Sequence, residues 1–169
     1  MTRVYVSDTN IWIDFRHAEL LDELFLLDLT LCCTDFVLAE LTDFDHGHLL
    51  GRGLVVESID STTMLRLGEL IRDHNNSSLA DVSCYLLAHD TKRPLLTGDG
   101  RLRKQALRDG LEVRGALWLL DRLVDQQLIP PARAAAGLSS MLARGARLPE
   151  AECEARMALW KFQAGGSSN

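Results

Sequence analysis

Val4-Tyr5-Val6-Ser7-Asp8-Thr9-Asn10 is a short apolar run ending on a carboxylate, and a helix-like stretch with Ile11, Trp12, Ile13 and Phe15 follows at once. In an open parallel α/β sheet, ligands bind outside the carboxyl ends of the strands. Asp8 therefore stands where such a fold keeps its chemistry.

Outward from this stretch, the apolar patterning alternates. Strands are expected over 3–7, 30–34, 54–59, 95–97 and 111–113, and helices over 10–16, 19–28, 35–44, 62–74, 79–90, 101–108 and 116–127. In 62–74, for instance, Met64, Leu65, Leu67 and Leu70 recur at three- and four-residue intervals, the helical period. Asn75-Asn76-Ser77-Ser78 reads as a turn and cap before the next helix. Alternation of this kind implies right-handed βαβ crossovers and a parallel sheet covered on both faces. The fold expected is α/β, three layers, with a main domain over 1–129. Pro130-Pro131 marks a boundary, beyond which helices over 132–144 and 149–162 form a C-terminal extension across 130–164. Residues 165–169 are expected to be a frayed tail.

The composition bounds the class. The chain has 169 residues, 47% of them hydrophobic, which suits one domain with a sizeable core. Its net charge of −6 argues against binding nucleic acid through bulk electrostatics, while leaving room for a local basic strip or a basic protein partner. Cys32, Cys33, Cys84 and Cys153 have no CxxC spacing, so they read as small buried hydrophobes in a reducing compartment. No apolar run approaches the roughly 18 residues a membrane span requires, and the N-terminus lacks a signal-peptide pattern. A cytoplasmic protein is expected.

Three further acids, Glu40, Asp81 and Asp99, fall where the alternating elements could carry them to the rim occupied by Asp8. Asp8 and Asp99 could each be only a helix N-cap, and Asp81 completes Ser78-Leu-Ala-Asp81, a capping-box pattern with Asp in place of Glu. Glu40 resists that explanation. In a helix over 35–44 it lies three residues after Val37 and four after Phe36, on the stripe that faces the core. Asp81 shares its face with Cys84, Tyr85 and Ala88. An unpaired buried carboxylate is costly or becomes protonated, so two inward acids without an Arg or Lys partner ask for a cation. An all-oxygen donor set suits Mg²⁺ or Mn²⁺, one ion or two, rather than zinc. Phosphodiester hydrolysis is the chemistry that most often uses such a cluster.

Val-Tyr-Val-Ser-Asp8-Thr-Asn10, Val-Leu-Ala-Glu40-Leu, Leu-Ala-Asp81-Val and Leu-Leu-Thr97-Gly-Asp99 resemble, in order, the four acidic motifs of PIN domains, which have a Rossmann-like parallel sheet. The resemblance covers about residues 3–125, and Leu102 stands where many relatives carry an aromatic. PIN domains are Mg²⁺- or Mn²⁺-dependent ribonucleases, best known as VapC-type toxins of toxin–antitoxin pairs. The resemblance implies that Asp8, Glu40, Asp81 and Asp99 are catalytic and hold the metal, with Asn10 and Thr97 as supporting polar groups. It also implies an RNA substrate cut to a 3′-hydroxyl and a 5′-phosphate, and an antitoxin partner. The apolar C-terminal helices make a homodimer an expectation.

Arg101, Arg103, Lys104 and Arg108 follow Asp99, with Lys92, Arg93 and Arg114 nearby. Arg101, Arg103 and Lys104 are the candidates for the RNA backbone; as a plain alternative the strip is a solvated helix face. His46-Gly-His48 lacks third and fourth metal ligands and reads as polar surface. Trp12 and Trp118 read as core, and Asp14, Asp43, Asp45 and Asp90 as exposed, with Asp43 within reach of the rim. Two other functions compete. A haloacid-dehalogenase-like phosphatase wants an aspartate two residues after its nucleophile, and here that residue is Asn10, which cannot deliver a proton. A non-catalytic module that binds RNA or protein is the other.

Overall fold

The computed structural model describes residues 2–73 and 78–166. Five parallel strands, β1 (Val4–Ser7), β2 (Thr30–Thr34), β3 (Val55–Glu57), β4 (Leu95–Leu96) and β5 (Val113–Arg114), form one sheet in the order β3-β2-β1-β4-β5. β1 lies in the middle, with Val6 opposite Cys32 on one side and Leu95 on the other. A strand covered on both faces must be apolar throughout, and Tyr5, Val6, Leu31, Cys32, Cys33, Leu95 and Leu96 are all buried. The chain order reverses between β1 and β4, making a switch point of the kind where α/β sheets hold ligands.

The helices are α1 (Thr9–His17), α2 (Leu21–Leu24), α3 (Asp35–Glu40), α4 (His46–Gly51), α5 (Ser61–Asp73), α6 (Leu79–Thr91), α7 (Gly100–Arg108), α8 (Ala116–Asp125), α9 (Pro131–Ala143) and α10 (Glu150–Gly165). The α/β, three-layer architecture is as expected. α6 is the most enclosed: every residue from Ala80 to Ala88 is buried. Its N-cap is Ser78, whose hydroxyl accepts from the Asp81 amide at 3.0 Å. The other members of the expected cap cluster, 75–77, lie outside the described residues, as do 167–169 of the expected tail.

Several expected elements are shorter. The helix over 19–28 reduces to the single turn α2, because Glu19 takes a left-handed conformation (φ 56°) that breaks the helical path after α1. The helix over 35–44 stops at Glu40, since Leu41 (ψ 58°) leaves the helical region. α4 falls where a loop was expected; Asp45 caps it by accepting from the His48 amide at 3.0 Å. The two histidines there are committed to protein partners: His46 Nε2 lies 2.7 Å from the Leu41 carbonyl and His48 Nε2 lies 2.6 Å from Asp22.

α9 and α10 pack on each other, and α9 packs also on α1 and α8. The contact is close: a Cβ added at Gly137 would lie 2.9 Å from Leu20 Cδ1 and 3.3 Å from Ala18 Cβ. Leu138, Met141 and Trp160 are buried in the same apolar cluster as the sheet residues. The four cysteines are buried free thiols. Among the described residues, no helix is long and apolar enough to cross a membrane.

Candidate active site

Asp8 leaves the carboxyl end of β1 completely buried. Its Oδ1 accepts from the Ile11 amide at 3.0 Å, capping α1. Its Oδ2 accepts from Thr97 Oγ1 at 2.7 Å and from the Gly98 amide at 3.0 Å. Burial raises its pKa, those hydrogen bonds pull the other way, and the charge of Asp99 raises it further. Thr97 Oγ1 also accepts from the Asp99 amide at 3.0 Å. One hydroxyl thus joins the first acid to the backbone of the last across the β1–β4 switch point. Asp99 Oδ1 caps α7, accepting from Arg101 at 2.9 Å and Leu102 at 3.1 Å.

Helix capping therefore accounts for one oxygen on each of Asp8 and Asp99. It does not account for Asp81. That side chain is buried at the first turn of α6, and its Oδ1 has no hydrogen-bond partner among the described residues. Its pKa is pushed up to about 7, first by burial, then by the charges of Asp8 and Asp99, with a smaller contribution from Glu40. Asp81 is thus within electrostatic reach of the other three predicted acids.

Glu40 arrives differently than expected. It is exposed at the end of α3 rather than on the core-facing stripe, because α3 ends there after six residues. What turns it toward the other acids is Thr9, whose hydroxyl donates to Glu40 Oε2 at 2.6 Å. Thr9 is buried directly after Asp8. Apart from that adjacency, no local pattern marks this tether.

A groove of about 1320 Å³ has Asn10, Asp81, Thr97 and Asp99 in its lining, whereas Asp8 and Glu40 do not line it. Asn10 is exposed and makes no side-chain hydrogen bond among the described residues. Asp14, one turn further along α1, also faces the groove. It was expected to be exposed, yet it is half-buried and pushed up to about 6, by burial and then by the charge of Asp8. Helical spacing from Asn10 could have found it. Asp43 does not line the groove; it is exposed, and its carbonyl accepts from Arg16 at 3.2 Å. Asp90 is paired with Arg66.

Of the basic candidates, Arg101, Arg103, Lys104 and Arg114 line the groove, whereas Arg108, Lys92 and Arg93 do not. Arg93 pairs instead with Glu57 at 2.6 Å. Trp118, expected in the core, is only partly buried and lines the groove, stacked on Tyr5 at 5.4 Å between ring centroids. Trp12 is fully buried, as expected.

The donor chemistry of the acids fits a hard divalent cation: carboxylate oxygens only, one of them buried without a partner. Their placement is looser. No group of three or more His, Cys, Asp or Glu side chains among the described residues is arranged to hold a metal ion. Protein donors hold Asp8 and Glu40 where they are, and like charges oppose closer approach.

A parallel sheet with coupled acids at its switch point defines an α/β scaffold of the class that binds ligands outside the carboxyl ends of its strands. The sequence places the chain more narrowly. A family model described as a PIN domain matches residues 4–161, and the chain belongs to the PIN-domain family. PIN domains are generally nucleases. Among solved structures, the chain is similar to a PilT N-terminus domain protein from the hyperthermophilic archaeon Sulfolobus solfataricus P2. The two are 12% identical over 70% of this chain and 91% of that one, with a TM-score of 0.46. No curated protein matches the chain.

Proposed function

We propose that the protein is a Mg²⁺- or Mn²⁺-dependent endoribonuclease in which Asp8, Glu40, Asp81 and Asp99 hold the metal. The observation carrying this reading is the Asp81 carboxylate, buried, partly without a hydrogen-bond partner and charge-coupled to the other three acids. Membership of a family of nucleases supports it. A bound divalent ion supplies charge to the phosphodiester oxygens and makes water more acidic. The chain's own residues do the positioning. Thr97 holds Asp8 through Oδ2, Thr9 holds Glu40, and the α7 amides hold Asp99. Asn10, on the groove wall, orients a water or a phosphate oxygen in this reading, and Arg101, Arg103 and Lys104 of α7 offer cations to the backbone beside the acids. Attack by water rather than by a ribose hydroxyl leaves a 3′-hydroxyl and a 5′-phosphate.

The test is cleavage of single-stranded RNA by wild type, Asp8→Asn and Asp81→Asn with and without Mn²⁺. Wild type cuts only with metal, and each variant loses at least about a hundredfold while keeping its fold; a metal-independent wild type or fully active variants refute the proposal. The looser arrangement of the acids favours a second reading, a module that binds RNA without cutting it. It predicts no thermal shift with Mn²⁺, because without a metal site there is no linkage to folding. A toxin role with an antitoxin partner rests on the family resemblance alone. It predicts growth arrest on expression of the wild type and none with Asp8→Asn.

A further inference from the structure

We propose that the connection between α9 and α10 forms a second, cationic wall of the nucleic-acid groove, with Arg144 and Arg147 contacting phosphates away from the acids. The inference rests on the nucleic-acid reading above and assigns a substrate-binding role to the C-terminal helices. Both arginines line the same groove as Asp81, Asp99, Arg103 and Lys104. Both are exposed, and neither pairs with an acid among the described residues; the same is true of Arg103 and Lys104. Arg114 and Arg156, also in the groove, are committed to Glu112 and Asp121. In a chain of net charge −6, cations left unpaired in the lining of one concavity, two from α7 and two from the α9–α10 connection, are complementary to a polyanion lying along it.

The local structure holds the two arginines in place. α9 ends in a Schellman motif: the Ala146 amide donates to the Met141 carbonyl at 3.0 Å and the Gly145 amide to Leu142 at 3.1 Å. Gly145 has φ +94°, a conformation that favours glycine. Ala146 and Leu148 then pack against the core on either side of Arg147, which leaves Arg147 outward. Arg144 stands close enough to His17, on the groove face of α1, to lower its pKa, after the effect of burial. Helix-dipole complementarity would account for a cation at Arg144, but not for Arg147, beyond the helix end. An acidic protein partner could use the same charges. The extended nucleic-acid strand is favoured because the cations share a groove with Asp81 and Asp99, so a strand crossing it presents a phosphate to those two acids.

The test measures binding of a fluorescent uridine oligonucleotide of about 12 nucleotides, within the usual site size for single strands. The full chain is used in EDTA, across a salt series, so that metal-dependent cleavage does not compete. Arg144→Ala/Arg147→Ala is expected to weaken binding about five- to tenfold at low salt and to flatten the log–log salt slope by about 1.4, two single-strand phosphate contacts. Arg144→Lys/Arg147→Lys should restore most of both, and a trinucleotide should bind the double-alanine variant as it binds wild type. Unchanged affinity and slope overturn the proposal. So does a variant that keeps its RNA affinity but loses binding to polyglutamate, which would mark a protein dock. If wild type binds RNA with the expected arginine dependence yet never cleaves it with Mn²⁺, the nuclease reading fails while the groove assignment stands.

Discussion

Thr97 Oγ1 donates to Asp8 Oδ2 across 2.7 Å, linking the carboxyl ends of two adjacent strands that are far apart in sequence. The bond is buried and stabilises the charged form of an acid that burial pushes toward its neutral form. The pair is thus both a structural tie and an electrostatic control.

Thr97→Val should therefore destabilise the fold by about 2 kcal/mol, the range for a buried hydrogen bond to a charged group. The loss should shrink as pH falls and Asp8 takes up a proton, because only the carboxylate form needs the donor. Urea unfolding across a descending pH series, compared at its two ends, checks this. An equal loss at both would leave Thr97 with a packing role alone.

Metal-free protein should lose stability as pH rises. Asp81 is pushed up to about 7 and Asp14 to about 6, above the ordinary carboxylate value near 4. Between about pH 4 and pH 7 the native state binds more protons than the unfolded chain, so stability falls with rising pH. For Asp81 the rise from the ordinary value to about 7 corresponds to at most about 4 kcal/mol. Asp22, Asp60, Asp90 and Asp109 are held low, and their stability is lost only below that window. Unfolding in EDTA at pH 5, 6.5 and 8 should show the decline in wild type and flatten it in Asp81→Asn. A wild-type stability that climbs through the window contradicts it.

Thr9→Val frees Glu40 from its 2.6 Å donor. On the proposed function, RNA cleavage should drop roughly 10- to 100-fold, as for other residues that orient a metal ligand. In a Glu40→Gln background the same change should add little, since the two act through one interaction. Kinetics of the four proteins complete the cycle. Independent, multiplicative losses would show that Thr9 does something else.

Trp160 is 2% exposed on α10, within the apolar cluster that includes the sheet. Trp160→Ala should cost about 3–5 kcal/mol in global stability. A single cooperative transition shifted by that amount would show that the C-terminal helices fold with the sheet. A loss confined to a separate early transition would show that they fold apart from it.

Much of the architecture was legible from local pattern. The Val4–Ser7 run, the caps at Asp8, Ser78 and Asp99, and the break at Pro130-Pro131 each depend on neighbours a few residues away, and all are found near their expected places. The overlong helices at 19–28 and 35–44 erred for a related reason. Apolar periodicity continues through Leu41 and Phe44, yet the chain must turn there to reach α4, and the backbone geometry of Leu41 leaves no trace in hydropathy.

The identities and order of Asp8, Glu40, Asp81 and Asp99, and the family they mark, were determined by the sequence alone, because motif spacing is a property of the chain. Tertiary structure decided what each acid experiences. It buried Asp8 behind Thr97, left Asp81 Oδ1 without a partner, turned Glu40 through Thr9, and brought Asp14, Arg144 and Arg147 to one groove. Burial and charge coupling depend on distances between residues far apart in the chain, and only the packing of helices on the sheet sets those distances.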